Sequence, residues 1–204
     1  MATWGGFNKR KERKMVELER ELTFLVTELP ADLGKFPSKI IEDNFVPRAA
    51  KHPIIRIRRR GDNLMITKKY PTDSADNDCE HGDSSRQVEH TISLTRAEYD
   101  ALNVYDGKKF KKRRFAYKID GYTAELDVFL DALVGLVKID FEFDSEDAMS
   151  KFRKPAICGP NITQDEALAG GMLAGKSYAD ISEYLRETYD YQPVKGVDKY
   201  GEEK

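Results

Sequence analysis

Apolar and polar residues alternate with a period of two over much of the first 143 residues, the spacing of strands whose successive side chains point to opposite faces. From residue 16 onward, Val16, Leu18, Arg20, Leu22 and Phe24 share one face, while Glu17, Glu19, Glu21 and Thr23 share the other. Strands are predicted at 16–27, 39–46, 54–60, 64–70, 87–94, 110–119, 122–130 and 134–143. Their links are mostly of hairpin length, with Gly61-Asp62-Asn63, Gly121 and residues 131–135 as turns. A short helix fits 30–36. Thr95-Arg96-Ala97-Glu98 and Thr163-Gln164-Asp165-Glu166 have the form of capping boxes, predicting helices over 95–102 and 163–174. Ser145 and Ser177 open further helices over 146–153 and 177–189. This order predicts a mainly β (α+β) chain: an eight-stranded antiparallel barrel or tunnel with helices packed outside. One domain, 15–191, is expected between a basic, flexible arm at 1–14 and a frayed tail at 192–204.

The polar faces of these strands are often doubly charged. Arg56, Arg58 and Arg60 lie opposite Ile55 and Ile57; Lys112, Arg114 and Lys118 lie opposite Phe115, Tyr117 and Ile119. Glu125 and Asp127 oppose Ala124, Leu126 and Val128; Lys138, Asp140 and Glu142 oppose Val137, Ile139, Phe141 and Phe143. Periodicity does not say which face points inward. An ordinary barrel would turn the apolar faces inward, but segregation by sign favours the charged ones, since a solvated face tends to mix charges along each strand. Here carboxylates gather on the first, seventh and eighth strands, and bases on the third and sixth. Charged faces are therefore expected to line a channel, with the apolar faces covered from outside.

Composition narrows the picture. Charged residues make up 34% of the 204, above the usual quarter, yet the net charge is only −2. That balance lacks the excess of a nonspecific nucleic-acid binder, and no nucleic-acid partner is expected. No apolar stretch approaches the length of a membrane span, and no apolar core follows the basic run at 9–14 as in a signal peptide. Two cysteines, Cys79 and Cys158, fit a reducing, cytoplasmic setting. Cys79-Glu80-His81 lacks a second pair and reads as a solvated loop; His90 is expected to pack under a helix, away from the channel.

Taken in order, these motifs resemble the CYTH superfamily, the triphosphate tunnel metalloenzymes. Glu19-Arg20-Glu21-Leu22-Thr23 resembles its opening E-x-E-x-K strand, and Arg56-Ile57-Arg58 with Lys68-Lys69 its R-x-R and lysine strands. Lys112-Arg113-Arg114-Phe115 resembles its K-x-R-Y strand, Glu125-Leu126-Asp127 its E-x-D strand, and Asp140-Phe141-Glu142 its closing acidic pair. Gly159-Pro160-Asn161-Ile162-Thr163 sits where the family has a Gly-x-x-Val-Thr turn. The likeness runs from Val16 to Ala174. It implies an eight-stranded tunnel and a Mg²⁺- or Mn²⁺-dependent phosphohydrolase cleaving the terminal phosphate of tripolyphosphate or an organic triphosphate. A class IV-like adenylyl cyclase and a non-catalytic polyphosphate- or nucleotide-binding protein are the alternatives, and the expected oligomeric state is a monomer or homodimer.

The resemblance assigns catalysis to Glu19, Glu21, Asp140 and Glu142. Arg56, Arg58, Lys69, Lys112 and Arg114 would bind the triphosphate, since guanidinium forks and ammonium charges suit phosphate oxygens. Glu19, Glu21, Asp127, Asp140 and Glu142 would hold metal through hard carboxylate oxygens, supported by Glu89 and Glu125. The chain departs from the family in three places. Thr23 stands for a lysine, Glu89 with Thr91 stands for an acidic pair, and Ala167-Leu168-Ala169-Gly170 replaces a polar run, with Lys176 as a substitute cation.

Overall fold

The computed structural model describes residues 16–73, 82–103 and 107–201; the side chains of Val16 and Glu17 are left aside. The expected basic arm, Cys79 and His81 lie outside the described residues. Nine strands form: β1 (Val16–Val26), β2 (Ser38–Val46), β3 (Ile55–Arg60), β4 (Asn63–Pro71), β5 (Arg86–Ser93), β6 (Lys108–Ile119), β7 (Tyr122–Phe129), β8 (Val137–Glu142) and β9 (Cys158–Asn161). All pairings are antiparallel, in the order β5-β4-β3-β2-β6-β7-β8-β1-β9. A further pairing of β1 with β5 closes the first eight into a barrel. β1 makes that closure by dividing its length. Its first half pairs with β5 up to Arg20, its second pairs with β8 from Glu21, and β9 takes over the vacated edge at Phe24 and Val26.

Tight turns set the register. β3 and β4 join through Gly61 and Asp62, and β6 and β7 through Asp120 and Gly121, where Gly61, Asp120 and Gly121 all have positive φ. An Asp-Gly pair suits that left-handed turn, whose twist matches the flanking strands.

The apolar faces of the strands point outward, as the segregation of charge predicts. Leu126, Val128, Val137 and Ile139 on β7 and β8 are fully buried, in one cluster with Ile181 and Leu185. Those last two come from α4 (Tyr178–Tyr189), opened by the capping box of Ser177 and Asp180. Two shorter helices, α1 (Arg96–Asn103) and α2 (Glu146–Ser150), follow caps foreseen in the chain: Thr95 with Glu98, and Ser145 accepting from Ala148 N. α2 ends before 153, and the Phe152 ring joins Phe24, Tyr122, Phe141 and Phe143 in an aromatic cluster.

Three expectations change. The box at 163–166 opens no long helix, because the Thr163 hydroxyl accepts from Thr23 N of β1 instead of capping. Only a 3-10 turn over Glu166–Leu168 and the single turn α3 (Gly170–Leu173) form there. β8 begins at Val137 because a 3-10 turn over Asp131–Leu133 takes up the preceding residues. The described part of the expected tail packs: Val194 and Val197 are 6% and 3% exposed. Tyr191 anchors it, its hydroxyl accepting from Val137 N at 2.9 Å and donating to Gly135 O at 3.1 Å.

Candidate active site

The charged strand faces line a cavity of about 340 Å³ inside the barrel, near the low end of the range for small-molecule sites (roughly 300–1,000 Å³). Each residue that the sequence singled out for catalysis, metal or phosphate lies on its wall: Glu19, Glu21, Arg56, Arg58, Lys69, Glu89, Lys112, Arg114, Glu125, Asp127, Asp140 and Glu142. Neighbouring strands bring them together. Glu21 pairs in register with Glu142, Thr23 with Asp140, Glu125 with Asp140, and Arg114 with Asp127.

Asp43, missed by the sequence reading, also lines it, as does Lys138, which that reading placed on a channel face without giving it a role. Asp43 of β2, 2% exposed, takes both arms of the Arg58 fork at 2.6 and 2.7 Å. Lys138 of β8 donates to Leu168 O at 3.0 Å. Conversely, Lys118 is exposed near the β6–β7 turn and absent from the wall. Lys176 lines a second cavity, against α1, and does not substitute for a cation here. His90 does face away from the tunnel, but it stacks on Tyr70 of the neighbouring strand and not under a helix. Residues from Ile162 to Gly171 wall one end. The other end is wetter, where Arg60 and Glu125 side chains are 40% and 25% exposed and hydrogen-bonded.

Within the tunnel, bases and acids neutralise one another. Lys69 bridges Glu19 at 2.6 Å and Glu21 at 2.8 Å. Burial works against its charge, but Glu21 and Glu19 outweigh burial and hold the ammonium above its usual range. Asp127, 1% exposed, accepts from Arg114 at 2.7 and 2.6 Å and from Lys112. Burial would raise its carboxyl; Arg114 and Lys112 overrule it and hold the group well below the carboxylate range. Arg114 also reaches Glu125, and Asp140 at 3.2 Å. Lys112 is pushed down to about 8 by burial and the adjacent Arg114, despite Asp127, and lies 5.8 and 5.7 Å from the Phe110 and Phe129 ring centres.

Two features leave this neutralisation incomplete. Arg56 donates to Glu89 at 3.1 Å, yet its buried Nε has no hydrogen-bond partner. Glu142 makes no ion pair among the described residues, and burial with the Glu19 and Glu21 charges pushes its carboxyl up. Glu19 is pushed up as well, by burial, Glu89 and Glu21, against the pull of Lys69. Counted around the wall, Glu19, Glu21, Asp43, Glu89, Glu125, Asp127, Asp140, Glu142, Asp165 and Glu166 face Arg56, Arg58, Arg60, Lys69, Lys112, Arg114 and Lys138. Acids are in excess. Among the described residues, no three His, Cys, Asp or Glu side chains are grouped closely enough to hold a metal ion as they stand.

No family model matches the chain. It is 29% identical over 162 residues to an inorganic triphosphatase of Nitrosomonas europaea, covering 78% of this chain and 97% of that protein. A second inorganic triphosphatase, from Acetivibrio thermocellus, is 26% identical over 133 residues, covering 65% and 79%. Among solved structures, the crystal structure of an inorganic triphosphatase superposes with a TM-score of 0.55 at 25% identity, covering 78% of this chain and 95% of the other. Over most of its length, this chain is similar in sequence and in fold to inorganic triphosphatases.

Proposed function

We propose that this chain is a triphosphatase of the CYTH type, which hydrolyses the terminal phosphate of inorganic tripolyphosphate, or of an organic triphosphate, with a divalent cation. The observation that carries the reading is the tunnel wall: phosphate-binding bases and excess carboxylates share one enclosed space. A polyanion entering alone would leave those carboxylates buried against like charge, which is strongly unfavourable. Entering with cations, it finds partners for both sets. The inorganic triphosphatases to which the chain is similar support the substrate class.

The donors fit a hard cation. Glu142 and Glu19 carry carboxyls pushed up by burial and by neighbouring acids, a strain that a cation relieves, and their oxygens suit Mg²⁺ or Mn²⁺. Glu19, Glu21 and Glu142 would hold it, with Asp140 beside them. When bound, the metal neutralises phosphate charge and acidifies water. Arg56, Arg58, Lys69, Lys112 and Arg114 bind the phosphates, and the buried Arg56 Nε is a donor awaiting an acceptor. Asp127 takes a different part from the one the resemblance gives it: with both oxygens held by bases, it aims Arg114 and Lys112. Water attacks the terminal phosphorus, a new P–O bond forms, the bridging P–O bond breaks, and the bases stabilise the charge of the departing diphosphate. The tunnel carboxylate beside the metal ligands, Asp140, takes the proton.

The test is a phosphate-release screen of the purified protein over tripolyphosphate, thiamine triphosphate and nucleoside triphosphates, with each metal. Orthophosphate from at least one of them is expected. Cyclic AMP and pyrophosphate as the main products from ATP, or no release from any, would overturn the reading. Cys158 is free and buried, which suits the reducing compartment we assign. No helix among the described residues is long and apolar enough to cross a membrane.

A further inference from the structure

Lys138 differs from the other bases of the tunnel. Each of the others sits on a carboxylate: Arg56 on Glu89, Arg58 on Asp43, Arg60 on Glu125, Lys69 on Glu19 and Glu21, and Lys112 and Arg114 on Asp127. Lys138 makes no ion pair among the described residues, and its one hydrogen bond goes to the neutral carbonyl of Leu168. An ammonium has three donors, so two have no protein partner among the described residues. Its surroundings sharpen the contrast. It stands at the walled end, where Leu168 and Ile162 are 1% and 4% exposed and the Phe45 and Phe110 rings face α3. Its charge is felt by Glu21, and Asp165 and Glu166 line the same end, but no carboxylate among the described residues touches the ammonium, which leaves it open to an anion.

We propose that Lys138 is a binding residue for the phosphoryl group that leads into the tunnel. It receives that group at the walled end, while any organic substituent of the substrate is left at the wetter end near Arg60 and Glu125. The inference rests on the triphosphate reading above and adds to it the direction in which the chain of phosphates lies. A purely structural alternative exists: Lys138 would only pin the wall through Leu168 O.

Two variants separate these roles. In Lys138→Gln the amide still donates to the carbonyl but carries no charge; Lys138→Arg keeps the charge. Calorimetry with imidotriphosphate and Mg²⁺ gives Kd without turnover, and steady-state kinetics on tripolyphosphate give KM and kcat. The expected result is a Kd and KM raised about ten-fold or more in Lys138→Gln, the loss of one charge-assisted bond, with kcat changed far less. Its Tm should stay near wild type, and Lys138→Arg should recover most of the affinity. An unchanged Kd in Lys138→Gln, or equal losses of Tm and affinity in both variants, would overturn the proposal. If the wild type binds the analogue but releases no phosphate, the hydrolase reading falls while Kd still judges Lys138. A wild type that binds no analogue overturns both.

Discussion

Replacing Asp127 with Asn tests the division of labour inside the tunnel. Its carboxylate lies at 1% exposure between Arg114, which it meets in register across β6 and β7, and Lys112. An amide presents one acceptor and turns an NH₂ toward two cations. Arg114 keeps Glu125 and Asp140, so the base left exposed to the loss is Lys112, itself 6% exposed. Removing one partner of a buried pair costs about 3–5 kcal/mol. The contacts kept by Arg114 place this case at the lower end, roughly 3 kcal/mol. For a domain of this size each kcal/mol moves Tm by about 2–4 °C, so a fall on the order of 6–12 °C is expected. The assay is thermal unfolding by circular dichroism, paired with calorimetric titration of Mg²⁺ or Mn²⁺. Metal affinity should hold within about two-fold if, as we propose, Asp127 aims bases and leaves the cation to Glu19, Glu21 and Glu142. The double variant Lys112→Met/Asp127→Leu should regain much of the lost Tm, since an apolar pair leaves no buried charge behind. An unchanged Tm together with lost metal binding would refute this and return Asp127 to the metal ligands.

Glu142→Gln should lower kcat by about three decades, through loss of a charge that we propose ligates the metal. Its Tm should be unchanged or raised, because burial and the Glu19 and Glu21 charges disfavour the ionised Glu142; full activity, or a large fall in Tm, would contradict that. Asp43 gives the acid limb of stability. Burial alone would raise its carboxyl, but Arg58 holds it at about 2. With a depressed folded value, its contribution is complete above the unfolded pKa of about 3.9 and is lost as pH falls toward 2. That difference is worth roughly 2–3 kcal/mol. Urea unfolding from pH 5 to 2 should show it in wild type and lack it in Asp43→Asn; parallel curves for the two proteins would sink the assignment.

Parity along a strand tells which face a residue occupies, and that is why so much of the site could be read before the structure. Glu19, Glu21, Arg56, Arg58, Asp140 and Glu142 stand on strands whose opposite face is mostly apolar, and Lys112 and Arg114 lie opposite Phe115, Tyr117 and Ile119. Parity does not give depth. Lys118 has the parity of Lys112 and Arg114 but sits beyond the cavity, beside the β6–β7 turn, and meets solvent. Nor does parity work where both faces are mixed. On β2, Ile41, Asp43 and Phe45 are buried on one side, while Ile40, Glu42 and Asn44 alternate on the other, so Asp43 gave no signal. Long-range partners were illegible as well. Thr163 looks like a helix cap locally, but Thr23 of β1, far away in the chain, takes its hydroxyl. Thr23 itself was read as a lost lysine; its hydroxyl donates to Asp140 at 2.9 Å, and the nearby tunnel cation comes from Lys138 on β8. The packing of Val194 and Val197 follows from the Tyr191 anchor on β8, which no short-range pattern announces.

The central claim is that this wall accepts a triphosphate only in company with a divalent cation. Calorimetric titration of imidotriphosphate into chelator-treated protein, with and without Mg²⁺ or Mn²⁺, measures that coupling directly. The account predicts weak or undetectable binding without metal and tight binding with it, and the analogue should tighten metal binding by the same factor. Equal affinity for imidotriphosphate in the chelated and metal-loaded protein would contradict it.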